Sequence, residues 1–323
     1  MRIFITGASG FIGGAIARRL STEHEVWAMA RSPKSADKVA ALGAKPVICS
    51  LDDVQAAHLE GCDVVIHCAA FVEPWGTWDE FYEGNVGGTK RVMMAARTAG
   101  VKRFLHIGTE AALFKGQPMV GIDETYPYPV YSPYYYSETK KLAEQAVLAA
   151  NQPGVFEAIS LRPRLVWGPG DTSILPNLLE MVDRGAFRWI DGGRHATSAV
   201  YIDNLVEGVA CALTRGRGGE VYFLVDAETT TMRALLSGML AAAGRDPGTK
   251  GAPGWLVRMA AFWIEGVYKL FRIRSKPPVT RFSAAIMSVP CTIQSDKAAR
   301  ELGYRPLVSQ ADGLAAMRAF YGR

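Results

Sequence analysis

Little in this chain points to a fold held by covalent or metal cross-links. Its 323 residues include only five cysteines, an odd number, at positions 49, 62, 68, 211 and 291 with no tight paired spacing. That excludes a disulfide scaffold and predicts reduced thiols in a cytoplasmic protein. Histidine is as sparse: His24, His58, His67, His106 and His195 are scattered without metal-ligand spacing, and no metal is expected. No stretch of about 18 uncharged apolar residues occurs, which argues against a spanning helix. Concentrated charge is missing as well. Thirty-six basic and 31 acidic residues leave a net +5, yet no stripe of Lys and Arg gathers it. Nucleic acid is therefore not an expected partner, and the mild basicity suits small anionic ligands. A leader is not expected either, because Met1 runs straight into Arg2-Ile3-Phe4-Ile5-Thr6, which reads as a first strand.

What is present is alternation. Apolar runs at 2–6, 25–30, 46–49, 63–70, 103–109 and 156–162 alternate with helical patterns near 11–20, 34–42, 80–99 and 137–150. This order predicts an α/β fold, a doubly wound parallel sheet of the Rossmann type. From about residue 164 the alternation fades into proline- and glycine-rich turns, followed by an Ala/Leu-rich helix around 231–243. The expected division is a dinucleotide-binding domain at 1–165 and a smaller, mainly substrate-binding lobe at 166–323. That lobe interleaves with the last sheet strands, around 195–225.

Directly after the first strand stands Gly7-Ala8-Ser9-Gly10-Phe11-Ile12-Gly13. Gly7 permits a tight turn, Gly10 lets backbone approach a pyrophosphate, and Gly13 lets the following helix close on the strand. Ser9, Phe11 and Ile12 fall in the same turn and are expected at the cofactor. The second strand ends in Ala30, with Arg31, Ser32 and Lys34 next, where an NAD-preferring site carries a carboxylate for the ribose 2′-hydroxyl. Arg31 can instead clasp a 2′-phosphate in bidentate fashion. NADP(H) is the predicted cofactor, with NAD(H) as the other candidate.

Of three consecutive tyrosines at 134–136, only Tyr136 has a lysine four residues on, at Lys140. On a helix that spacing puts both side chains on one face, where an ammonium would lower a phenol's pKa for proton exchange. Five ordered motifs extend the pattern: TGASGFIG at 6–13, HCAA at 67–70, Asn85-Val86-Gly87-Gly88-Thr89, YSETK at 136–140, and LRPRLVWGPGD at 161–171. With them the chain resembles the extended, or atypical, short-chain dehydrogenase/reductase family, and within it the 3β-hydroxysteroid dehydrogenase/isomerase-like branch. The resemblance implies Tyr136 as acid/base, Lys140 as its partner and a ribose ligand, and Thr109 as the hydroxyl that polarises the substrate oxygen. It places Ala69, Ala70, Asn85, Pro163 and Val166 at the cofactor. Two departures stand out: Gly108-Thr109-Glu110 replaces the usual Ser-Ser, and Ser50-Leu51 follows Cys49 where the family has Gly-Asp-Leu at the adenine.

The resemblance implies hydride transfer between nicotinamide and the alcohol or ketone carbon of a hydrophobic, steroid-like or β-keto substrate. The alternatives are a nucleotide-sugar epimerase/dehydratase and a non-catalytic NADP(H)-binding sensor. The stretch from Gly192 to Asn204 lacks the Arg-Asp pair of the epimerase branch, although Arg194 could substitute. Trp75, Trp78 and His195 are the candidate substrate contacts; the alternative reading of the tryptophans is as loop anchors, and that of His195 is structural. The helical run 255–271 has only Arg258, Glu265 and Lys269 as charges, spaced to fall on one stripe. It reads as a substrate lid or a peripheral membrane contact through 255–276, or as a packing helix. Helices near 80–99 and 137–150 are those the family pairs in a homodimer.

Overall fold

The computed structural model describes residues 1–322. Its centre is a seven-stranded sheet made of β1 (Arg2–Thr6), β2 (Glu25–Ala30), β3 (Lys45–Ile48), β4 (Val64–His67), β5 (Arg103–Ile107), β6 (Glu157–Pro163) and β7 (Val221–Leu224). Every pairing in it is parallel and the order is β7-β6-β5-β4-β1-β2-β3. The inner strands are buried on both faces, which is why Ile3-Phe4-Ile5 and Val64-Val65-Ile66 read as unbroken apolar runs. Strand order reverses between β1 and β4, so a crevice opens beyond their carboxyl ends.

Eleven α-helices among the described residues are α1 (Phe11–Leu20), α2 (Pro33–Ala40), α3 (Trp78–Tyr82), α4 (Gly88–Thr98), α5 (Tyr135–Ala149), α6 (Ile174–Asp183), α7 (Ile202–Arg215), α8 (Met232–Ala242), α9 (Gly254–Leu270), α10 (Arg281–Ile286) and α11 (Gln310–Tyr321). One sheet face packs Ile16 and Ala17 of α1 with Leu205 and Val209 of α7. The other packs Val92 and Ala96 of α4 with Val147 of α5. The lobe has its own core around Trp167, Trp189, Leu236, Met239 and Met317. It is not a separate half of the chain, since α7 and β7 return to the sheet.

Two local outcomes differ from the sequence pattern. The helix expected over 80–99 is split, because Glu83–Gly87 forms a π-turn between α3 and α4. Gly84, Gly87 and Gly88 weaken the α-helical ladder there and admit the extra residue. A second sheet, with strands Thr230–Thr231, Ala196–Thr197, Cys291–Ile293 and Met119–Ile122, ties the lobe to an excursion of the first half. Those strands are two to four residues long, too short to show an apolar period.

Candidate active site

The glycine turn is shaped by close approach. Gly7 sits at φ +72°, and a Cβ there would come within 2.8 Å of the Ala69 nitrogen. A Cβ on Gly13 would stand 2.6 Å from the carbonyl carbon of Gly7. Neither position tolerates a side chain, and together they bring the N-terminus of α1 against the end of β4. Helix α1 starts at Gly10 without a side-chain cap and without an acid in its first turn. Its free N–H groups thus face the crevice, which fits a dinucleotide diphosphate.

A buried chain of hydrogen bonds fixes the Ala69 side of this cradle. The Ala69 N–H donates to Thr6 Oγ1 (3.1 Å), and the Thr89 hydroxyl donates to the Asn85 carbonyl (2.6 Å). Between them His67 Nδ1 meets Thr6 Oγ1 at 2.8 Å and Nε2 meets Thr89 Oγ1 at 2.9 Å. Because a carbonyl can only accept and an amide can only donate, the direction is set: Thr6 donates to Nδ1, and Nε2–H donates to Thr89. Burial holds the His67 ring neutral, with its pKa pushed down to about 3, so the chain does not titrate near neutrality.

The cleft that runs on from this cradle has a volume of about 1020 Å³. Gly7, Ser9, Gly10, Phe11, Ile12 and Gly13 line it, as do Arg31, Ser50, Leu51, Ala69, Ala70, Pro163 and Val166. Arg31 is exposed at the end of β2 and has no hydrogen bond or ion pair among the described residues. Ser32 and Asn85, expected at the cofactor, do not line the cleft. The Ser32 hydroxyl caps α2 by accepting from the Ser35 N–H, because a helix start needs that acceptor. The Asn85 amide accepts from Phe71 N–H (2.7 Å) and donates to Thr139 Oγ1 (3.0 Å), which locks the loop after β4 to α5. The Ser50 hydroxyl donates to Asp53 (2.7 Å), so its adenine contact would be shared with that carboxylate.

Tyr136 lies in the first turn of α5 and opens onto the cleft, beside Thr109 at the end of β5. Lys140 is buried one turn on, where its ammonium donates to the Ile107 carbonyl (3.0 Å). The electrostatics differ from the pattern expected of the spacing. Burial, and after it the Glu110 charge, push the Tyr136 phenol above its ordinary range, while the Thr109 hydroxyl works the other way. Lys140 does not offset this: its ammonium is directed to the Ile107 carbonyl, and burial disfavours its charge, with the pKa down to about 8. Glu110, which stands in the departure from the family's Ser-Ser, takes part in the site. Its carboxylate accepts from Thr109 Oγ1 (2.8 Å) and pairs in the interior with Arg164, whose Nε donates to Thr197 Oγ1 (3.2 Å). The visible signal was an acid set within the apolar stretch that follows β5.

Helix α5 is held to the sheet by a second buried pair. Arg162 of β6 grips both Glu144 oxygens through Nε at 3.0 Å, and Ser160 and Tyr128 donate to the same carboxylate at 2.6 Å. Beyond Tyr136 the cleft continues into a chamber whose wall is largely apolar. Phe282 of α10 places its ring 5.5 Å from that of Tyr136, and Leu178, Leu236 and Met287 extend the wall. Trp75 lines the chamber, whereas Trp78 packs on Tyr82 and Tyr135 outside it. His195 is not in the cleft: it lies 3.6 Å from Asp191 in the lobe, because the chain turns there toward the small sheet. Phe282 carries no motif and was invisible to pattern reading.

A diphosphate-ready helix start at the reversal point of a parallel sheet, with a Tyr/Thr pair opening beside it, defines an NAD(P)-dependent dehydrogenase/reductase. The model of the 3-beta hydroxysteroid dehydrogenase/isomerase family matches residues 4–249, and the chain belongs to that family. It is 39% identical over 325 residues, 98% of this chain and 96% of the other, to the 4-hydroxy-2-methyl-3-oxo-4-farnesyl-3,4-dihydroquinoline-1-oxide ketoreductase of Stigmatella aurantiaca. It is 34% identical to the 2-alkyl-3-oxoalkanoate reductase of Stenotrophomonas maltophilia, over 99% of both chains. Among solved structures, the dTDP-glucose 4,6-dehydratase of Streptomyces venezuelae with NAD bound superposes with a TM-score of 0.78 over 100% of this chain and 97% of that one. At 23% identity that likeness concerns the fold alone.

Proposed function

We propose that the chain is an NADPH-dependent reductase of β-keto compounds with long apolar substituents, with Tyr136 as the proton donor. The observation that carries this reading is the Tyr136 phenol opening where the dinucleotide crevice meets the apolar chamber, next to Thr109. Both named relatives are reductases of 3-oxo compounds bearing an alkyl or farnesyl group, which agrees with a chamber walled by Phe282, Leu178, Leu236 and Met287. When bound, the dinucleotide supplies the hydride. The protein's part is to hold the ketone oxygen within reach of Tyr136 and Thr109 and to exclude water around it. A phenol kept protonated by burial holds the proton that reduction must deliver to the ketone oxygen.

NADP(H) preference rests on Arg31, an unpaired guanidinium at the rim of the cleft, with no carboxylate at the end of β2 to repel a 2′-phosphate. Ser9, Leu51, Ala70, Pro163 and Val166 complete the cofactor-facing wall, whereas Lys140 lies outside the cleft lining and is the ribose ligand on the family resemblance alone. The direct test is steady-state reduction of a 2-alkyl-3-oxo ester. Tyr136→Phe should lower kcat by about 10²–10⁴-fold with cofactor affinity unchanged, and Arg31→Asp should reverse the preference toward NADH. Near-normal turnover by Tyr136→Phe, or equal efficiency of the parent with NADH, would overturn the respective assignments.

A further inference from the structure

Helix α9 is built inside out. Along its length the seam turned to the protein is narrow, with Gly254, Ala261 and Glu265 as its buried residues. Glu265, its one acid, is inside, where the carboxylate accepts the Arg281 N–H at 2.6 Å. The aromatic and aliphatic residues are outside: Trp255, Met259, Phe262, Trp263, Leu270 and Phe271 are all exposed, Trp263 to 66% and Leu270 to 76%. Their spacing of 4, 3, 1, 7 and 1 keeps them on one continuous face. An apolar strip of this length is not a feature of a helix meant for water alone.

The segment that carries that face is cationic, with Arg258, Arg272 and Arg274 exposed beside it. Between residues 254 and 281 stand Arg258, Lys269, Arg272, Arg274, Lys276 and Arg281, against Glu265 alone. The inner side of the same segment roofs the chamber: Glu265, Lys269, Lys276 and Phe282 line it. At its far end the roof is tied down by the Lys276 ammonium, which donates to Asn177 Oδ1, and by contacts of the Trp75 loop and Tyr135. Trp75 Nε1 donates to the Ile273 carbonyl (3.3 Å), its ring meets Tyr268 edge to face, and the Lys269 ammonium lies 4.7 Å from the centre of the Tyr135 ring.

We propose that the outer face of α9 docks on an anionic lipid surface, so that an apolar substrate passes from the acyl layer beneath this roof into the chamber. This rests on the reading of the substrate as apolar. Aromatic residues at the depth of the headgroups with arginine and lysine at the rim are the composition an interfacial helix requires. A second copy of the chain fits the face poorly, because a two-fold contact would set the exposed Arg258, Arg272 and Arg274 against their own copies.

The test is co-sedimentation of the full chain with vesicles of phosphatidylcholine alone or mixed with phosphatidylglycerol. Binding is expected to the mixed vesicles and to fall as salt rises. Arg272→Gln with Arg274→Gln should weaken it by about 30-fold, and Trp263→Ser with Phe271→Ser should remove it. Both double variants should keep parental turnover of ethyl acetoacetate in solution, which reports that they are folded. Absence of sedimentation with either vesicle overturns the docking whether or not the protein reduces any ketone. So does a parental dimer that Trp263→Ser with Phe271→Ser splits by light scattering. Absence of turnover on every ketone, with vesicle binding intact, would instead remove the functional reading and leave the surface standing.

Discussion

At the scale of single residues, Glu110 is what distinguishes this site. Its carboxylate accepts the Thr109 hydroxyl's hydrogen bond and, after burial, adds to the upward push on the Tyr136 phenol. The two hydroxyls beside the ketone position are thereby given different states: the Thr109 proton is committed to Glu110, and Tyr136 is kept protonated as the donor. Glu110→Gln keeps the shape and removes the charge. Reduction needs the protonated phenol, so its rate falls as pH rises through the phenol's pKa. With one of the two upward causes gone, that fall should begin at lower pH in the variant. The change also leaves Arg164 as a buried unpaired charge, which costs about 3–5 kcal/mol and should show as a lower Tm. Adding Arg164→Met removes the stranded charge and should recover much of the Tm without restoring the pH profile. A profile that does not move in either variant would reduce Glu110 to a packing role.

At the scale of elements, β4 and β5 bring two buried histidines side by side, with ring centres 5.7 Å apart. His67 is fully partnered, whereas neither His106 nitrogen has a partner. Burial lowers both pKa values, that of His67 to about 3. A depressed folded pKa means that the unfolded chain takes up the proton first. Stability is therefore unaffected above about pH 6.5 and falls below it, by about 1.4 kcal/mol per pH unit for each ring. His106→Leu should remove one of these slopes and gain about 1 kcal/mol at neutral pH by deleting an unsatisfied polar ring. Urea melts at pH 7.5 and 5.0 would check both; a loss at pH 7.5 would mean that the ring makes a bond worth keeping. The contrast between these histidines also marks what sequence reading could reach. The seven-stranded sheet was legible because its inner strands are apolar on both faces, and the cradle because Gly7 and Gly13 admit no Cβ. The π-turn that carries Asn85, the Ser32 cap and the displacement of His195 were not, since each depends on which backbone group a short polar side chain finds after folding. Phe282 was beyond reach for a different reason: it meets Tyr136 across 146 residues of chain, through a lobe whose strands are too short for periodicity to register.

At the scale of the whole molecule, the layers leave two different surfaces open, and they should serve different partners. Helices α4 and α5 form the outer layer on one face of the sheet, and their inner sides are spent on Val92, Ala96 and Val147. Outward they present Lys90, Met94 and Arg97 from α4 and Gln145 and Ala149 from α5, with Met94 exposed to 65%. Small residues on α5 permit the close approach that a four-helix contact between two copies needs. That layer is also the mount of Tyr136 and Lys140, clamped from within by Arg162 and Glu144. We propose a homodimer through this face, distinct from the lipid-facing surface of α9 in the lobe. Light scattering should give twice the mass of one chain, and Met94→Lys should give the monomer by placing like charges across the two-fold axis. The monomer should lose stability, because α5 is then held from one side only, yet sediment with anionic vesicles as the parent does. A parent that is monomeric at micromolar concentration would sink the dimer. A Met94→Lys chain that no longer binds vesicles would mean that the two surfaces act as one.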